Sequence, residues 1–595
     1  MCGINGFNFK NEALIRKMMK ATEHRGPDGQ GFFADQSISL GHNLLAITEK
    51  PDKARQPLIS PQGNVLIYNG EIYNYKDLRE ELKRRGRQFY TDGDSEVLLA
   101  GLEREGREFI KKLNGMFAFA FYNKAGKKII LARDPLGMKP LYYYYQNGKF
   151  IFSSEMRGLL EHGIERKLDF DSLAVFFEIG YLPGYRTLIK DVFKLSPGEA
   201  AELNLANGQL EKFWIVSRET AGRESFNKDK LRQLMNEAVF AHTMGLRPFG
   251  LYLSGGLDST VVLFELLNKG IKNLTTYSVR FEVTDPKFNE DADLAARLSR
   301  DFTTNHHELL VTENDFVEAL PRTIEIIEEP RYHPSIPAYY LMNQQASKET
   351  VVILTGDGGD ELFMGYPKYY ENLIYEKRYR RYPKTLLNLY YQIKYGRRLD
   401  KPLERWYQLN AIAGKKGSRT IDYLYSISAP AITNPLPDLG NSLAELDRLF
   451  WLAEDSFIIT DKLAMNFGME GRFPYVDQRL VTYANAVASQ EKLAAAGSKG
   501  LIRQAYKELL PDYILAKKKS GWTAPIGHWL RGQLGNFVRE VLTAGYYPET
   551  AGLFNWKDIN RNYPPPAITS PGGIHKKFFP ILTFQLWARQ FKIRL

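Results

Sequence analysis

A thiol stands almost at the start of the chain, in the stretch MCGINGF, and Cys2 is the only cysteine among 595 residues. A single cysteine excludes an intramolecular disulfide framework and any zinc site built from several cysteines. Two interpretations of this stretch stay open when it is read alone. Cys2 is either a nucleophile that removal of the initiator methionine uncovers, or an ordinary small residue near a chain end.

Two glycine-rich turns carry acidic residues at positions that suit a nucleotide. The turns are SGGLDS at 254–259 and TGDGGDE at 355–361, and each follows an apolar run. Backbone N–H groups of such turns hold anions at a helix N-terminus, and a neighbouring carboxylate such as Asp258 suits Mg²⁺. The first turn lacks the spacing of a P-loop. Together, the two turns favour ATP as the ligand.

The elements that position these residues differ between the two parts of the chain. From residue 2 to about 155, apolar alternation predicts short half-buried strands, including VLIYNGEIYN and the hairpin FAFAFYNKAGKKIILARD. A helix is predicted in NYKDLREELKRRG, closed by Gly86. A stretch rich in Pro and Gly between about 180 and 215 predicts a linker and a closing strand pair.

Predicted strands alternate with predicted helices after about residue 225. KDKLRQLMNEAVFAHTM predicts an amphipathic helix, and FGLYL, LTTYSVRF and TVVIL predict buried strands that end in polar turns. This alternation predicts a parallel sheet that binds ligands at the carboxyl ends of its strands. From about residue 370 the chain is predicted to be mainly helical.

Positive charge is concentrated in one region of a chain whose net charge is +11. Residues 371–420 hold 13 Lys and Arg against four Asp and Glu. Binding of nucleic acid or of a membrane surface is one interpretation; we favour solvated basic helix faces whose Leu and Tyr face the core. Neither a signal-peptide core nor an apolar run of membrane-spanning length is present, so a cytoplasmic location is expected.

Longer motifs surround the candidate residues. In the first part they are MCGI, HRGPDG (24–29), YNGEIYN (68–74), DGDSEV (92–97), RDPLGMKPLYY (133–143) and SSEM (153–156). In the second part they are SGGLDS, HHE (306–308), TGDGGDELFMGY (355–366), MEGRFPYVDQRLV (469–481) and KKKSGWTAPIGHWLRG (517–532). The first set resembles a class II glutamine amidotransferase, and SGGLDS resembles the pyrophosphate loop of ATP-pyrophosphatases. In this order, the motifs from Cys2 to about Gly532 resemble the glutamine-hydrolysing asparagine synthetase family.

The resemblance implies a fold of mixed class, α+β followed by α/β. Residues 2–215 are expected to form a glutaminase domain, a four-layer αββα sandwich of the Ntn-hydrolase type. Residues 225–595 are expected to form an ATP-dependent synthetase domain of the ATP-pyrophosphatase type, with a parallel sheet and a helical C-terminal part. ATP and Mg²⁺ are the implied cofactors.

The resemblance also implies roles at the glutaminase site. Once Met1 is removed, the α-amino group of Cys2 would serve as the general base for its own thiol. Asn69 and the Gly70 backbone N–H would form the oxyanion hole, and Glu71 and Asp94 would hold the glutamine α-amino group.

At the synthetase site, the resemblance implies that Asp258 and Asp360 bind Mg²⁺ and that Lys499 stabilises charge during adenylation. Asp357 would accept a proton from the incoming ammonia. The residues implied in ATP binding are Leu253, Ser254, Gly255, Gly256, Asp258, Ser259, Val279, Thr355 and Gly356.

One position departs from the family pattern GHxRLSI, whose arginine pairs with the glutamine α-carboxylate. The chain has GHNLLAI at 41–47, so Leu44 stands at the expected arginine. Loss of a bidentate clamp removes about 1.5–3 kcal/mol of binding. Three outcomes stay open: another basic residue (Arg25, Lys50 or Arg55) replaces it, glutamine binds weakly, or ammonia is the donor. We expect glutaminase activity to survive.

The acceptor carboxylate is less well defined by the sequence. EEPRYHPSIPAYYLM (328–342) is one residue shorter than the family segment and has His333 for an Asp, and GLRPFG (245–250) replaces SDVPVG. The predicted reaction is ATP-dependent amidation through an acyl-adenylate, with L-aspartate as the first expectation. Alternatives are another acid (a cell-wall precursor, a uronic acid or a natural-product acid), an ammonia-dependent synthetase, or a non-catalytic homologue. The expected partners are small molecules, with neither a membrane nor nucleic acid, and a homodimer is an open expectation.

Overall fold

The structure is a computed structural model that describes residues 2–215, 222–412, 418–428, 438–494, 497–519, 521–562 and 575–595. Three sheets organise it, two in the first part of the chain and one in the second. Residues 216–221, within the predicted junction between domains 2–215 and 225–595, lie outside the described residues, and those domain limits remain a prediction.

Two six-stranded antiparallel sheets face each other in the first part. The first has the order β10-β8-β9-β1-β3-β2, and the second has the order β12-β11-β7-β6-β5-β4. The strands are β1 Gly3–Phe7, β2 Gly29–Ala34, β3 Ser39–Leu44, β4 Leu58–Ile59, β5 Val65–Ile72, β6 Gly115–Asn123, β7 Lys128–Arg133, β8 Tyr142–Gln146, β9 Lys149–Ser153, β10 Val192–Lys194, β11 Glu199–Asn204 and β12 Leu210–Trp214.

Helices cover the outer faces of both sheets. They are α1 Glu12–Ala21, α2 Tyr75–Arg84, α3 Asp94–Glu105, α4 Arg107–Ile110, α5 Met156–Leu160 and α6 Phe170–Ile179. Along β5, Val65 and Ile67 face the first sheet, whereas Leu66 and Tyr68 pack with α2 and α3. The four-layer αββα sandwich is therefore confirmed. The expectation of half-buried strands is wrong for β5 and β6, because helices and the opposite sheet bury both of their faces.

The second part is built on a five-stranded parallel sheet with the order β15-β14-β13-β16-β17. Its strands are β13 Phe249–Tyr252, β14 Thr275–Phe281, β15 Asn305–Val311, β16 Val352–Leu354 and β17 Glu470–Arg472. The strand order reverses between β13 and β16, and ligands of such sheets bind at the carboxyl ends of the strands at this switch point. The predicted parallel sheet is confirmed, and both glycine-rich turns lie at that point.

Helices surround the sheet and form the rest of the second part. They are α7 Lys228–Ala241, α8 Leu257–Asn268, α9 Glu290–Phe302, α10 Glu313–Ile327, α11 Ile336–Ala346, α12 Gly359–Phe363, α13 Pro367–Arg381, α14 Lys384–Tyr395, α15 Pro402–Asn410, α16 Ser418–Ile427, α17 Leu439–Asp447, α18 Phe457–Met465, α19 Gln478–Ala486, α20 Ser489–Ala494, α21 Gly500–Tyr506, α22 Asp512–Leu515, α23 Ile526–Trp529, α24 Gln533–Val541, α25 Trp556–Asn562 and α26 His575–Gln590. A π-helical stretch, Arg448–Ser456, joins α17 to α18. No helix in the described ranges is long and apolar enough to cross a membrane.

The basic stretch forms α13 to α15, as the favoured interpretation predicted. Its apolar residues do not all face the core, however, because Leu386, Leu389 and Ile393 of α14 are 59–74% exposed. Their spacing places them on one face of the helix, a face that the sequence pattern assigned to the interior. That part of the expectation is wrong.

The C-terminal helix α26 joins the two parts of the chain. Trp587 is fully buried and donates from Nε1 to the carbonyl of Glu328 at 2.8 Å. Just after the helix, the Arg594 N–H donates to the carbonyl of Arg166 at 2.8 Å. The last residues, which carried no recognisable motif, therefore contribute to the core between the two parts.

Candidate active sites

Cys2 lies at the start of β1, the strand between β3 and β9. Its backbone nitrogen donates to Asn69 Oδ1 at 2.9 Å, which joins the first sheet to β5 of the second. The side chain is 6% exposed, and burial raises the pKa of the Cys2 thiol. Because a buried thiol stays protonated at neutral pH, it needs a base beside it to become a nucleophile.

Asn69 and Gly70 lie opposite Ala118 and Phe117 in the β5–β6 pairing. Asn69 Nδ2 is buried and has no hydrogen-bond partner within the described ranges. Gly70 has φ +154°, and a Cβ there would overlap the Met116 carbonyl oxygen, so the position requires glycine. The amide of Asn69 is thus a fixed neutral donor, the type of group that stabilises an oxyanion.

Glu71 and Asp94 bring two carboxylates to the same buried region. Asp94 accepts hydrogen bonds from the Tyr68 hydroxyl and the Ile72 N–H, both at 2.9 Å, and burial raises its pKa to about 6. Burial and the charges of Glu470 and Asp94 raise the pKa of Glu71. Glu71 Oε2 lacks a hydrogen-bond partner in the described part of the chain. A cationic group between the two acids would relieve this unfavourable arrangement.

Leu44 is buried at the end of β3 and packs against Cys2 and Ala46. Of the basic residues proposed as replacements, Arg25 is already engaged. It donates to the Cys2 carbonyl at 3.1 Å and pairs with Glu155 and Asp461 at 2.9 and 2.8 Å. Lys50 and Arg55, the other two, are exposed. Of these three residues, Arg25 is the one that contacts Cys2, and its guanidinium is already paired with two carboxylates.

The candidate nucleotide site is a cavity of about 600 Å³ at the carboxyl ends of the central parallel strands, called the nucleotide cavity below. Most residues predicted to bind ATP line it: Leu253, Ser254, Asp258, Ser259, Val279, Thr355 and Gly356. Gly256 lines a neighbouring cavity together with Lys499. Gly255 lines neither cavity; it has φ +65° and packs closely on the Asp291 carbonyl, so it shapes the turn before α8.

Two lysines pair with the two acids predicted to bind metal. Lys499 Nζ lies 2.6 Å from Asp360 Oδ1 and also pairs with Asp258. Lys519 Nζ lies 2.6 Å from Asp360 Oδ2. Although burial opposes ionisation, Lys499 and Lys519 lower the pKa of Asp360. Lys519 lies in the run KKK at 517–519, part of a motif that resembles the family but for which no role was predicted.

The acids fit a magnesium ion that substrate phosphates help to hold. Asp258 Oδ1 is buried and has no hydrogen-bond partner among the residues described. Across those same ranges, no group of three or more His, Cys, Asp or Glu could hold a metal without other ligands. Mg²⁺ commonly takes one or two carboxylates and completes its shell with phosphates and water. Asp258 and Asp360 match that donor set.

Asp357, predicted to accept a proton from ammonia, also lines the nucleotide cavity. It accepts a hydrogen bond from Thr355 Oγ1 at 3.1 Å, and burial raises its pKa to about 6. Glu361, which sequence reasoning left without a role, also lines the cavity, and its pKa is raised to about 8 by burial and by Asp360.

Aromatic side chains form the opposite end of the cavity. His333 stacks on Trp451 with ring centroids 6.1 Å apart, and burial lowers the pKa of His333 to about 4. Its Nδ1 has no hydrogen-bond partner in the part of the chain described. A second cavity of about 340 Å³ shares Tyr366, Pro367 and Trp451 with the first. The neutral imidazole of His333 and the adjoining cavity form the candidate binding site for the acceptor carboxylate.

One strand connects the two sites. Within β17, the Arg472 carbonyl accepts from the Thr355 N–H at 3.0 Å, next to the nucleotide cavity. The Arg472 guanidinium lies 3.4 Å from Glu71 and 2.5 Å from Glu470. The sequence predicted no role for Arg472, because no local pattern in the motif at 469–481 shows that its side chain reaches the other site.

Comparisons with known proteins agree with this two-site arrangement. A family model described as a glutamine amidotransferase domain matches residues 1–214, and one described as asparagine synthase matches residues 230–589. Glutamine-hydrolyzing asparagine synthetase 1 of Bacillus subtilis is 29% identical over 91% of this chain and 90% of its own length. A putative glutamine-hydrolyzing asparagine synthetase 2 of Methanocaldococcus jannaschii is 33% identical, over 62% and 76% respectively. Asparagine synthetase B of Escherichia coli is 30% identical, over 62% and 66%.

The fold and the matches define a glutamine amidotransferase domain joined to a synthetase domain, the pair found in glutamine-hydrolysing carbon–nitrogen ligases. The chain belongs to the asparagine synthase family. It is a glutamine-dependent amidotransferase of the asparagine synthetase type, and its family implies the use of ATP.

Proposed function

We propose that the protein uses glutamine nitrogen and ATP to convert a carboxylate into a carboxamide, with L-aspartate as the acceptor and L-asparagine as the product. The observation that carries the proposal is the pairing of two sites in one chain. Cys2 lies against Asn69, whose Nδ2 is unpartnered among the described residues, and the acids of the nucleotide cavity lie at the switch point of the parallel sheet.

In the glutaminase half, the mature chain would begin at Cys2. Its α-amino group takes the thiol proton, and the thiolate attacks the glutamine side-chain amide carbon. Asn69 Nδ2 and the Gly70 N–H stabilise the oxyanion, and the ammonium formed on the cysteine returns its proton to the leaving ammonia. Water then hydrolyses the thioester to glutamate. Glu71 and Asp94 hold the α-ammonium group of the substrate.

In the synthetase half, the glycine-rich turn at 254–256 holds the phosphates of ATP, and Lys499 and Lys519 neutralise their charge. The acceptor carboxylate attacks the α-phosphorus, and pyrophosphate leaves. Magnesium, held by Asp258 and Asp360, would supply further neutralisation of the phosphates. Ammonia then attacks the acyl carbon of the adenylate, Asp357 accepts its proton, and AMP leaves.

L-Aspartate is proposed as the acceptor because the matched relatives from three organisms are named asparagine synthetases. A bulkier carboxylate is the second candidate, and the cavity supports it. His333 replaces the family's acid with a neutral imidazole, and the adjoining space of about 340 Å³ shares Tyr366, Pro367 and Trp451 with the nucleotide cavity. A larger acid could occupy that space while its carboxylate faces ATP.

A matrix of nitrogen donors and acceptors tests the proposal. Glutamine or ammonia is combined with aspartate, a uronic acid or a peptide acid, and AMP, pyrophosphate and glutamate are measured. The proposal predicts AMP formation that requires both an acid and a nitrogen source. Activity with ammonia but no glutamate release from glutamine would overturn the glutaminase part. No pyrophosphate with any acid would favour a non-catalytic homologue.

A further inference from the structure

Glutamine is a zwitterion, and the acids assigned to its α-ammonium account for only one of its charges. The α-carboxylate needs a cation, and Leu44 cannot supply one. Two arginines beside the site are already held by carboxylates. Arg25 pairs with Glu155 and Asp461, and Arg472 pairs with Glu470 and Glu71.

A segment of the synthetase part, residues 245–247, packs against the glutaminase site. The Leu246 N–H donates to the Ile47 carbonyl at 2.7 Å. Gly245 has φ +135°, and a Cβ there would lie 2.8 Å from Ile47 Cγ2. The segment therefore lies on the stretch that continues β3 beyond Leu44.

Arg247 follows in this segment, and its guanidinium faces Asp28 of the first part of the chain. Its Nη2 lies 3.6 Å from Asp28 Oδ1, a distance too long for a hydrogen bond. Its Nε is buried without a hydrogen-bond partner in the part of the chain that is described. Arg247 therefore differs from Arg25 and Arg472: it pairs with one carboxylate instead of two, and its side chain is 34% exposed rather than fully buried, so its guanidinium can accept a ligand.

Asp28 connects Arg247 to Leu44 and Cys2. The Asp28 N–H donates to the Leu44 carbonyl at 2.9 Å, and its Oδ2 accepts from the Ala46 N–H at 2.9 Å. Leu44 and Ala46 pack against Cys2. Asp28 therefore links the Arg247 guanidinium to the backbone of Leu44 and Ala46, the two residues that pack against Cys2.

We propose that Arg247, supplied by the synthetase domain, binds the α-carboxylate of glutamine in place of the arginine absent at position 44. The substrate then lies between this cation and the acids Glu71 and Asp94, with its amide toward Cys2. Both domains complete the glutamine site. This inference rests on the proposed function, since it concerns the substrate of the glutaminase reaction.

The test compares two amides in the full-length protein. 4-Aminobutanamide keeps the side-chain amide and the amino group of glutamine but lacks the α-carboxylate. Arg247→Met is expected to lower kcat/KM for glutamine by about 10- to 100-fold, mainly through KM, because a bidentate charge-assisted contact is lost. The value for 4-aminobutanamide is expected to change by less than about twofold. Arg300→Met, which changes an exposed arginine of α9, is the matched control for both amides.

An equal fall for both amides, or no change for glutamine, would overturn the inference. If Arg247→Met does not fold, Arg247→Lys is measured, and a smaller but selective loss for glutamine is expected because lysine keeps the charge without the fork. Leu44→Arg combined with Arg247→Val moves the cation back to β3 and is expected to restore the preference for glutamine. A wild-type protein that hydrolyses neither amide would instead refute the proposed glutaminase activity.

Discussion

The two candidate sites are positioned by different kinds of structure. Asn69, Gly70 and Glu71 lie within β5, which pairs with β6 and is buried on both faces. The acids of the nucleotide cavity lie on turns and helix starts that follow parallel strands. Backbone pairing therefore fixes the glutaminase groups before substrate arrives, whereas ion pairs hold the synthetase groups.

The two sites also differ in how their charged groups are paired. At the glutaminase site burial raises the pKa values of Glu71 and Asp94, and the two arginines beside it, Arg25 and Arg472, are already paired with carboxylates. At the nucleotide site Lys499 and Lys519 already pair with Asp258 and Asp360. The first site is suited to a ligand that brings an ammonium group. The second is suited to a polyphosphate, which takes over the lysines while a metal takes over the acids.

The largest expected effect is the loss of glutamine hydrolysis while the ammonia-dependent reaction is retained. Cys2→Ala is expected to lower glutamate release by more than about 10³-fold, because no other nucleophile replaces the thiol. AMP formation with ammonia reports the synthetase site and should persist in the same preparation. The measurement is glutamate and AMP under both nitrogen donors. Asparagine formation from glutamine that survives in this variant would contradict the assignment of Cys2.

Lys499→Met tests the synthetase site and is expected to affect both nitrogen donors equally. It removes a cation shared by Asp258 and Asp360, so pyrophosphate release should fall by about 10²- to 10³-fold. Glutamate release in the absence of ATP should change little. Lys348→Met, at an exposed lysine two residues beyond the end of α11, is the control. A loss confined to glutamine would contradict the assignment of Lys499 to adenylation.

How far the sequence predicted these sites depends on where their residues lie along the chain. The glycine-rich turns, Cys2 and β5 carry local signals. The parallel sheet followed from the alternation of predicted strands and helices, whereas the four-layer sandwich was implied by the family resemblance. Arg472 and Arg247 were not predicted to lie near the glutaminase site, because each belongs to the second part of the chain and contacts an acid of the first, Glu71 and Asp28 respectively. No spacing rule connects residue 247 to residue 28. The exposed face of α14 was also missed, since periodicity shows that a helix has an apolar face but not what covers it.

Hydrolysis of glutamine is expected to slow at acidic pH. Burial raises the pKa of Asp94 to about 6, so protonation below that pH removes the charge proposed to hold the glutamine α-ammonium group. kcat/KM for glutamine is therefore expected to fall about tenfold per pH unit below pH 6. Asp94→Asn should lower kcat/KM at pH 7 and flatten the profile between pH 5 and about 6.5. An unchanged profile in this variant would assign the titration to another group.

The smallest expected effect lies at the acceptor end of the nucleotide cavity. His333→Phe keeps a ring against Trp451 but removes a neutral hydrogen-bonding group, which is worth about 2- to 10-fold in binding. KM for the acceptor should rise by that factor while KM for ATP stays constant. His162→Phe is the matched control, because burial lowers the pKa of His162 to about 4 as well, and His162 packs on Phe7 and does not line either cavity. If His333 contacts only the nucleotide, KM for ATP changes instead, and the acceptor must then lie elsewhere in the cavity.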